Sequence, residues 1–201
     1  PRHISNTAAP PFASIPASTL DAFRACATQS LVDALWVMGW PNAMCSGPTR
    51  LSSSTASPSS TIAGQAVTLR FVPQRPDIAA DKPTGGDSPE YKAFSQCAQG
   101  RVLVASSVAP VSNSIGGDIK FLALKQREVE GLVTDGSVRD MATLGDYGFP
   151  VFAAGKTARQ GPAYMQPWAV NDVVEVGGVA VRPGDIVVAD DDGVVIVPLS
   201  V

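Results

Sequence analysis

The apolar positions along this chain switch repeatedly between a helical and a strand period. From Ser18 to Met38, Leu20, Phe23, Ala27, Leu31, Ala34 and Leu35 recur at helical spacing. That predicts a helix capped by Ser18 or Thr19 and stopped by Gly39 and Pro41. Ile62 to Val72 (IAGQAVTLRFV) is rich in β-branched residues in partial alternation and reads as a strand. Helix and strand then alternate: a short helix over Tyr91–Gln99, a buried strand over Arg101–Val108, a helix over Ile119–Gln126 and a buried strand over Glu130–Thr134. A helix to about Tyr147 and a third short strand, Val151–Ala154, complete the run. Such βαβ units predict a parallel sheet with right-handed crossovers. The remainder is β-rich, with strands at Val173–Val176, Val179–Val181, Ile186–Ala189 and Val194–Val197. Gly177-Gly178, Pro183-Gly184-Asp185 and Asp192-Gly193 supply the turns between them.

Two polar stretches interrupt this pattern. Residues 52–60 (SSSTASPSS) read as a surface loop. Residues 73–90 carry four prolines, Gly85-Gly86 and several charges, the composition of a long lid or binding loop. Residues 1–17 read as an N-terminal arm ordered by packing on a neighbour, and 18–201 as a single α/β domain with a mixed, partly parallel sheet.

Composition removes several kinds of chemistry. The chain has 201 residues, 45% of them hydrophobic, enough for one core. A net charge of −3 offers nothing to nucleic acid or to an anionic membrane, and no apolar run approaches the ~20 residues of a membrane helix. Pro1 to Pro16 lack the apolar stretch of a signal peptide. Cys26, Cys45 and Cys97 have no metal-binding spacing; they read as inert thiols in a reducing compartment, and the chain as cytoplasmic. The single histidine, His3, lies in the arm, which removes the base of a Ser-His or Cys-His site, an imidazole zinc site and a phosphohistidine carrier. Any metal is then held by carboxylates, carbonyls and water, the ligands of Mg²⁺ or Mn²⁺.

Ligands of open α/β sheets bind beyond the carboxyl ends of the parallel strands. Two loops fall there. One follows RVLVASSV and carries Gly116, Gly117 and Asp118; the other follows EGLVT and carries Asp135, Arg139 and Asp140. Both open helices, whose free N–H groups attract anions. Arg139 offers a planar, permanently charged fork to a carboxylate, Asp140 a hard oxygen to a metal, and the two glycines let the backbone approach a ligand. Each residue also has a plainer role, since an acid at a helix start commonly caps it and an Arg-Asp pair is commonly solvated. The Asp190-Asp191-Asp192-Gly193 run lacks the alternation of a calcium loop and reads as a hairpin turn. Lys120 is a conceivable Schiff-base nucleophile, but reads better as a surface helix lysine.

Gly116-Gly117-Asp118-Ile119, GLVTDGSVRD (131–140), GFPVFA (148–153) and PGDIVVADDDGVVIVP (183–198) together resemble the 4-hydroxy-4-methyl-2-oxoglutarate / 4-carboxy-4-hydroxy-2-oxoadipate aldolases, a family that also contains the regulator of ribonuclease E activity A. The resemblance covers most of residues 18–198. It implies a swivelling β/β/α fold, a homotrimer or hexamer with sites between subunits, and a class II lyase acting on a small 2-oxo acid. It further implies Mg²⁺ or Mn²⁺ on Asp140, Arg139 beside the forming enolate, and Asp118 behind the metal. Gly117 and the backbone of Ile119 and Lys120 would meet the substrate carboxylate. A non-catalytic, protein-binding regulator of the same fold is the alternative. Two departures stand out: Lys120 stands where many members have an apolar residue, and the proline-rich 73–90 loop departs from the pattern of the bacterial aldolases.

Overall fold

Four strands run parallel at the centre of the molecule: β3 (Ile62–Pro73), β4 (Arg101–Ser106), β5 (Gly131–Val138) and β6 (Val151–Lys156). The structure, a computed structural model, describes residues 10–52, 61–108 and 113–201. His3 and residues 53–60 lie outside them. The helices between the parallel strands are α3 (Pro89–Gln96), α4 (Asp118–Gln126) and α5 (Met141–Tyr147). They bury Phe94, Phe121, Leu124 and Leu144 against Val67, Leu69, Leu103 and Leu132 on one face of the sheet. The other face is covered by a hairpin of β8 (Val174–Val176) and β9 (Val179–Val181), whose valines pack on Ala66, Val102, Val104 and Val133. Burial on both faces explains why these strands read as continuous apolar runs.

The sheet is mixed and curled. β10 (Ile186–Ala189) and β11 (Val194–Val197) form a hairpin that pairs antiparallel with the start of β3, as the Asp192-Gly193 turn predicted. β1 (Met44–Cys45) extends β11, and β2 (Thr49–Ser52) closes the other side against β6. The fold class is therefore the swivelling β/β/α type expected.

Four local expectations need correction. The first helix is two, α1 (Ala17–Arg24) and α2 (Thr28–Val37). Asp190 causes the break: its carboxylate accepts from Thr28 N–H at 3.0 Å and from the Thr28 hydroxyl at 2.7 Å, capping α2 from across the chain. β5 continues through Val138 past an irregularity between Thr134 and Ser137, so Asp135 sits in a strand and not in the following loop. A strand with no alternation, β7 (Met165–Val170), pairs with the far end of β3. Its Pro167 is tolerated because β7 is an edge strand whose register shifts beside that residue. Residues 10–16 of the arm pack on their own chain: Ile15 N–H donates to Gln65 at 3.0 Å, and Phe12 lies under the Arg101 guanidinium.

Candidate active site

The two loops singled out in the sequence are joined by backbone. Ser114 bridges to Ser137 in a parallel sense, and Ile115 N–H donates to Ser137 O at 3.0 Å. Arg139 N–H donates to Gly116 O at 3.2 Å. The Gly-Gly-Asp segment is thereby laid along the end of β5, with Asp118 at the start of α4 beside Asp140.

Asp140 adopts a left-handed conformation, φ 61°, which for an L-residue other than glycine costs about 1–2 kcal/mol and which Asp tolerates better than most. Its carboxylate makes no capping bond to α5, the helix that it precedes. The carboxylate Oδ2 accepts instead from Asp118 N–H at 3.2 Å, at the positive end of α4, and stands 3.3 Å from Arg139 Nε. Both contacts use one oxygen. Gly117 is needed for space: a Cβ there would lie 2.0 Å from Asp140 Oδ2 and 2.9 Å from Arg139 Cγ.

Asp118 turns its Oδ1 to the neighbouring Ile119 N–H at 2.7 Å, so that amide is engaged in this structure. The Tyr147 hydroxyl donates to Asp118 O at 2.7 Å; burial first, then the charges of Asp118 and Asp140, push its pKa up to about 12. Nothing in the sequence near Tyr147 signals this role, because a tyrosine at a helix end ordinarily packs.

A cleft of about 430 Å³ opens over these residues, lined by Gly117, Asp118, Ile119, Lys120, Arg139 and Tyr91 among others. Arg139 also borders a second depression, in which Asp140, Lys156 and Thr157 take part. Lys120 is not a free surface lysine. Its Nζ lies 2.6 Å from Oε1 of Glu90, a buried carboxylate on α3, and it lines the cleft. An amine committed to a carboxylate is the opposite of the desolvated, unpaired amine that a Schiff-base mechanism requires.

Asp135 points elsewhere, into a small pocket with Ser46, Ser107 and Glu175. Burial raises its pKa above the ordinary 3.8, against the opposing bond from Ser107 N–H at 2.7 Å. A raised native pKa means that the protonated form fits better; this contribution to stability is complete below the unfolded value and is lost as pH rises through the native one. Asp135→Asn keeps an acceptor for Ser107 and removes the charge. It should therefore raise the melting temperature at pH 7, with the gain shrinking toward pH 3.5; thermal melts across that range check the sign. In the Asp190-Asp191-Asp192 run, Asp190 caps α2 and Asp191 pairs with Arg50. Among the described residues no group of three His, Cys, Asp or Glu side chains is placed to hold a metal by itself. Cys45 and Cys97 are buried, with thiols pushed up to about 12 chiefly by desolvation.

The family profile "RraA-like: Aldolase/RraA" matches residues 28–196. The chain belongs to the RraA-like family. A Halalkalibacterium halodurans protein named "Putative 4-hydroxy-4-methyl-2-oxoglutarate aldolase" is 30% identical over 118 residues, 57% of this chain. The match spans about half of that relative's length, 54%, and 16% of the Legionella pneumophila protein DlpA. Among solved structures, Streptomyces coelicolor RraAS2, described as an unusual member of the RNase ES inhibitor RraA protein family, superposes with a TM-score of 0.82. It shares 29% identity and covers 94% of this chain and 89% of its own. The RNA-processing inhibitor RraA from Thermus, at 21% identity and a TM-score of 0.62, covers 86% of this chain and 93% of its own and shares the fold. The proteins that this RraA-like chain is similar to thus include one named as a putative aldolase and one described as an unusual member of an RNase ES inhibitor family. No helix among the described residues is long and apolar enough to cross a membrane.

Proposed function

We propose that this RraA-like protein is a divalent-metal-dependent lyase that cleaves small 2-oxo acids through a pyruvate enolate. The observation that carries the reading is the Asp140 carboxylate. It is held in a left-handed turn, withheld from its own helix and seated against Gly117 and Arg139, which a mere helix cap has no reason to do.

The residues fit a hard cation held by one protein carboxylate with waters and substrate oxygens completing the shell, the ordinary arrangement for Mg²⁺. Asp140 would be that carboxylate, with Asp118 adjacent. When bound, Mg²⁺ or Mn²⁺ would act as a Lewis acid toward the keto oxygen of the substrate. The chain's own contribution is electrostatic. When the C3–C4 bond breaks, its electron pair becomes the C2–C3 double bond of the enolate and the carbonyl π pair moves onto the C2 keto oxygen. Arg139, at the rim of the cleft, offers fixed N–H donors to that developing charge, which lowers the barrier only because the charge grows toward the transition state. For a 4-hydroxy substrate the hydroxyl proton leaves to water, since the one histidine of the chain is His3. Protonation of the enolate at C3 then gives pyruvate. Oxaloacetate reaches the same enolate by loss of CO₂. Gly117 and the start of α4 would receive the substrate carboxylate, with the Ile119 amide exchanging its Asp118 partner for the ligand.

Pyruvate release from oxaloacetate, coupled to lactate dehydrogenase, should vanish after treatment with EDTA and return with Mg²⁺ or Mn²⁺. Activity that survives exhaustive chelation, with a borohydride-trapped adduct, would falsify the metal reading. The second reading, a non-catalytic regulator that binds a protein partner, is favoured by the likeness to RraAS2. It predicts no turnover under any metal condition.

The assembly would be a homotrimer or a hexamer. Trp36, Val37, Met38 and Trp40, exposed in one run at the end of α2, support association through an apolar surface. Light scattering should give a multiple of three times the 20.8 kDa chain mass. A stable monomer at micromolar concentration would contradict sites shared between subunits.

A further inference from the structure

The backbone of Asp118 is gripped from two sides, and both grips come from one helix. Asp118 N–H donates to Asp140 Oδ2 at 3.2 Å, and Asp118 O accepts from the Tyr147 hydroxyl at 2.7 Å. Asp140 immediately precedes α5, and Tyr147 is its last residue. The tyrosine is held in place. Gly148, in a left-handed conformation with φ 61°, ends the helix directly after it and donates its N–H to Leu144 O at 2.9 Å. The ring packs against the main core, and the ammonium of Lys125, further along α4, stands 5.6 Å from its centroid. Burial, then the charges of Asp118 and Asp140, keep the hydroxyl protonated far above neutral pH, so it remains a donor. The carbonyl that accepts this bond shares a planar, rigid peptide unit with the Ile119 N–H. In a trans peptide the N–H points opposite to the C=O, so fixing the oxygen fixes the direction of the amide hydrogen. That hydrogen is directed out of the start of α4, where it meets Asp118 Oδ1 at 2.7 Å, and Ile119 lines the cleft. A carbonyl that accepts a hydrogen bond also polarises its own amide, which makes the N–H a stronger donor.

We propose that Tyr147 is a positioning residue for the carboxylate end of a 2-oxo acid: through the Asp118 carbonyl, its hydroxyl aims and polarises the Ile119 amide that receives that carboxylate. The inference rests on the reading of the α4 start as the carboxylate-receiving end of the site. Tyr147 touches no substrate atom and transfers no proton. Asp118 and Lys125, its partners, lie in its own chain, so the device works whatever a neighbouring subunit adds to the site.

Tyr147→Phe keeps the ring and deletes the donor. Calorimetric titration of pyruvate in Mg²⁺ buffer should give a dissociation constant raised by about three- to tenfold, the range for losing one neutral hydrogen bond. Titration of Mn²⁺ alone should match the wild type, since Asp140 keeps its place and its bond from the Asp118 N–H. In oxaloacetate turnover the loss should fall on KM, with kcat changed by less than about twofold. Tyr147→Leu deletes the ring as well. It should weaken pyruvate binding by the same factor as Tyr147→Phe while melting at a lower temperature, which separates the hydroxyl from the packing. A merely structural tyrosine would lower the melting temperature and leave the pyruvate affinity of the folded protein alone. Unchanged pyruvate affinity in Tyr147→Phe, a loss confined to Tyr147→Leu, an equal loss of Mn²⁺ affinity, or no pyruvate binding by the wild type would each overturn the inference. If pyruvate affinity responds as expected while oxaloacetate is not turned over, the lyase reading fails and this one stands. If oxaloacetate is turned over and Tyr147→Phe binds pyruvate normally, the reverse is true.

Discussion

Arg139→Lys should lower turnover of oxaloacetate by about 10²–10³, the usual effect of losing one preorganised donor to a developing oxyanion. Lysine keeps the charge but not the planar fork. It can point at one oxygen, whereas the guanidinium addresses the enolate while its Nε stays 3.3 Å from Asp140. If Arg139 acts mainly on the transition state, kcat and kcat/KM should fall together with KM nearly unchanged. A rise in KM alone would make Arg139 a binding residue. The plainer view treats Arg139 and Asp140 as a half-exposed pair worth at most about 1 kcal/mol of stability. On that view the variant would turn over normally.

Gly117→Ala should be comparably damaging for a different reason. The added methyl group would fall 2.0 Å from Asp140 Oδ2, so the carboxylate must move. The backbone has no objection, since Gly117 is extended with φ −153°. The obstacles are side-chain atoms, Asp140 Oδ2 at the end of a chain that can rotate and Arg139 Cγ at 2.9 Å, which must shift by a few tenths of an ångström, so stability should change by no more than about 2 kcal/mol. Displacing the carboxylate by about 1 Å should still cost about 10² in turnover. A melting curve and steady-state kinetics on the same preparation separate the two effects. A variant as active as wild type would show that the position of Asp140 has no bearing on catalysis.

How far the sequence could be read depended on whether the decisive contact was local. The parallel strands were legible because burial on both faces makes them runs of Val, Leu and Ala, and the C-terminal hairpins because glycine marks their turns. The division of α1 from α2 was not, since the cap on Thr28 comes from Asp190, 162 residues away, and Ala25-Cys26-Ala27 contains no helix breaker. β7 escaped because its proline and mixed burial suit an edge strand, which has no period to detect. The same distinction holds at the site. Gly117, Asp118, Arg139 and Asp140 lie where strands give way to helices, and the topology brings them together. Asp135 reads as a loop residue because the bulge that prolongs β5 cannot be read from its residues. Glu90 and Tyr91 went unnoticed because they lie on a separate helix preceded by a proline-rich loop, and only the fold brings Tyr91 to the cleft and Glu90 against Lys120.

The central claim is that Asp140 holds the metal while Arg139 stabilises the enolate, and one titration addresses both. Pyruvate release from oxaloacetate would be measured for the wild type, Asp140→Asn and Arg139→Lys over increasing Mn²⁺ after complete removal of bound metal. The account predicts that Asp140→Asn is nearly inactive at low Mn²⁺ and partly recovers at high Mn²⁺, because the weakened ligand shifts the metal affinity. Arg139→Lys should saturate at the wild-type Mn²⁺ concentration and remain slow at every point. Wild-type rates for both variants at saturating metal would contradict the account.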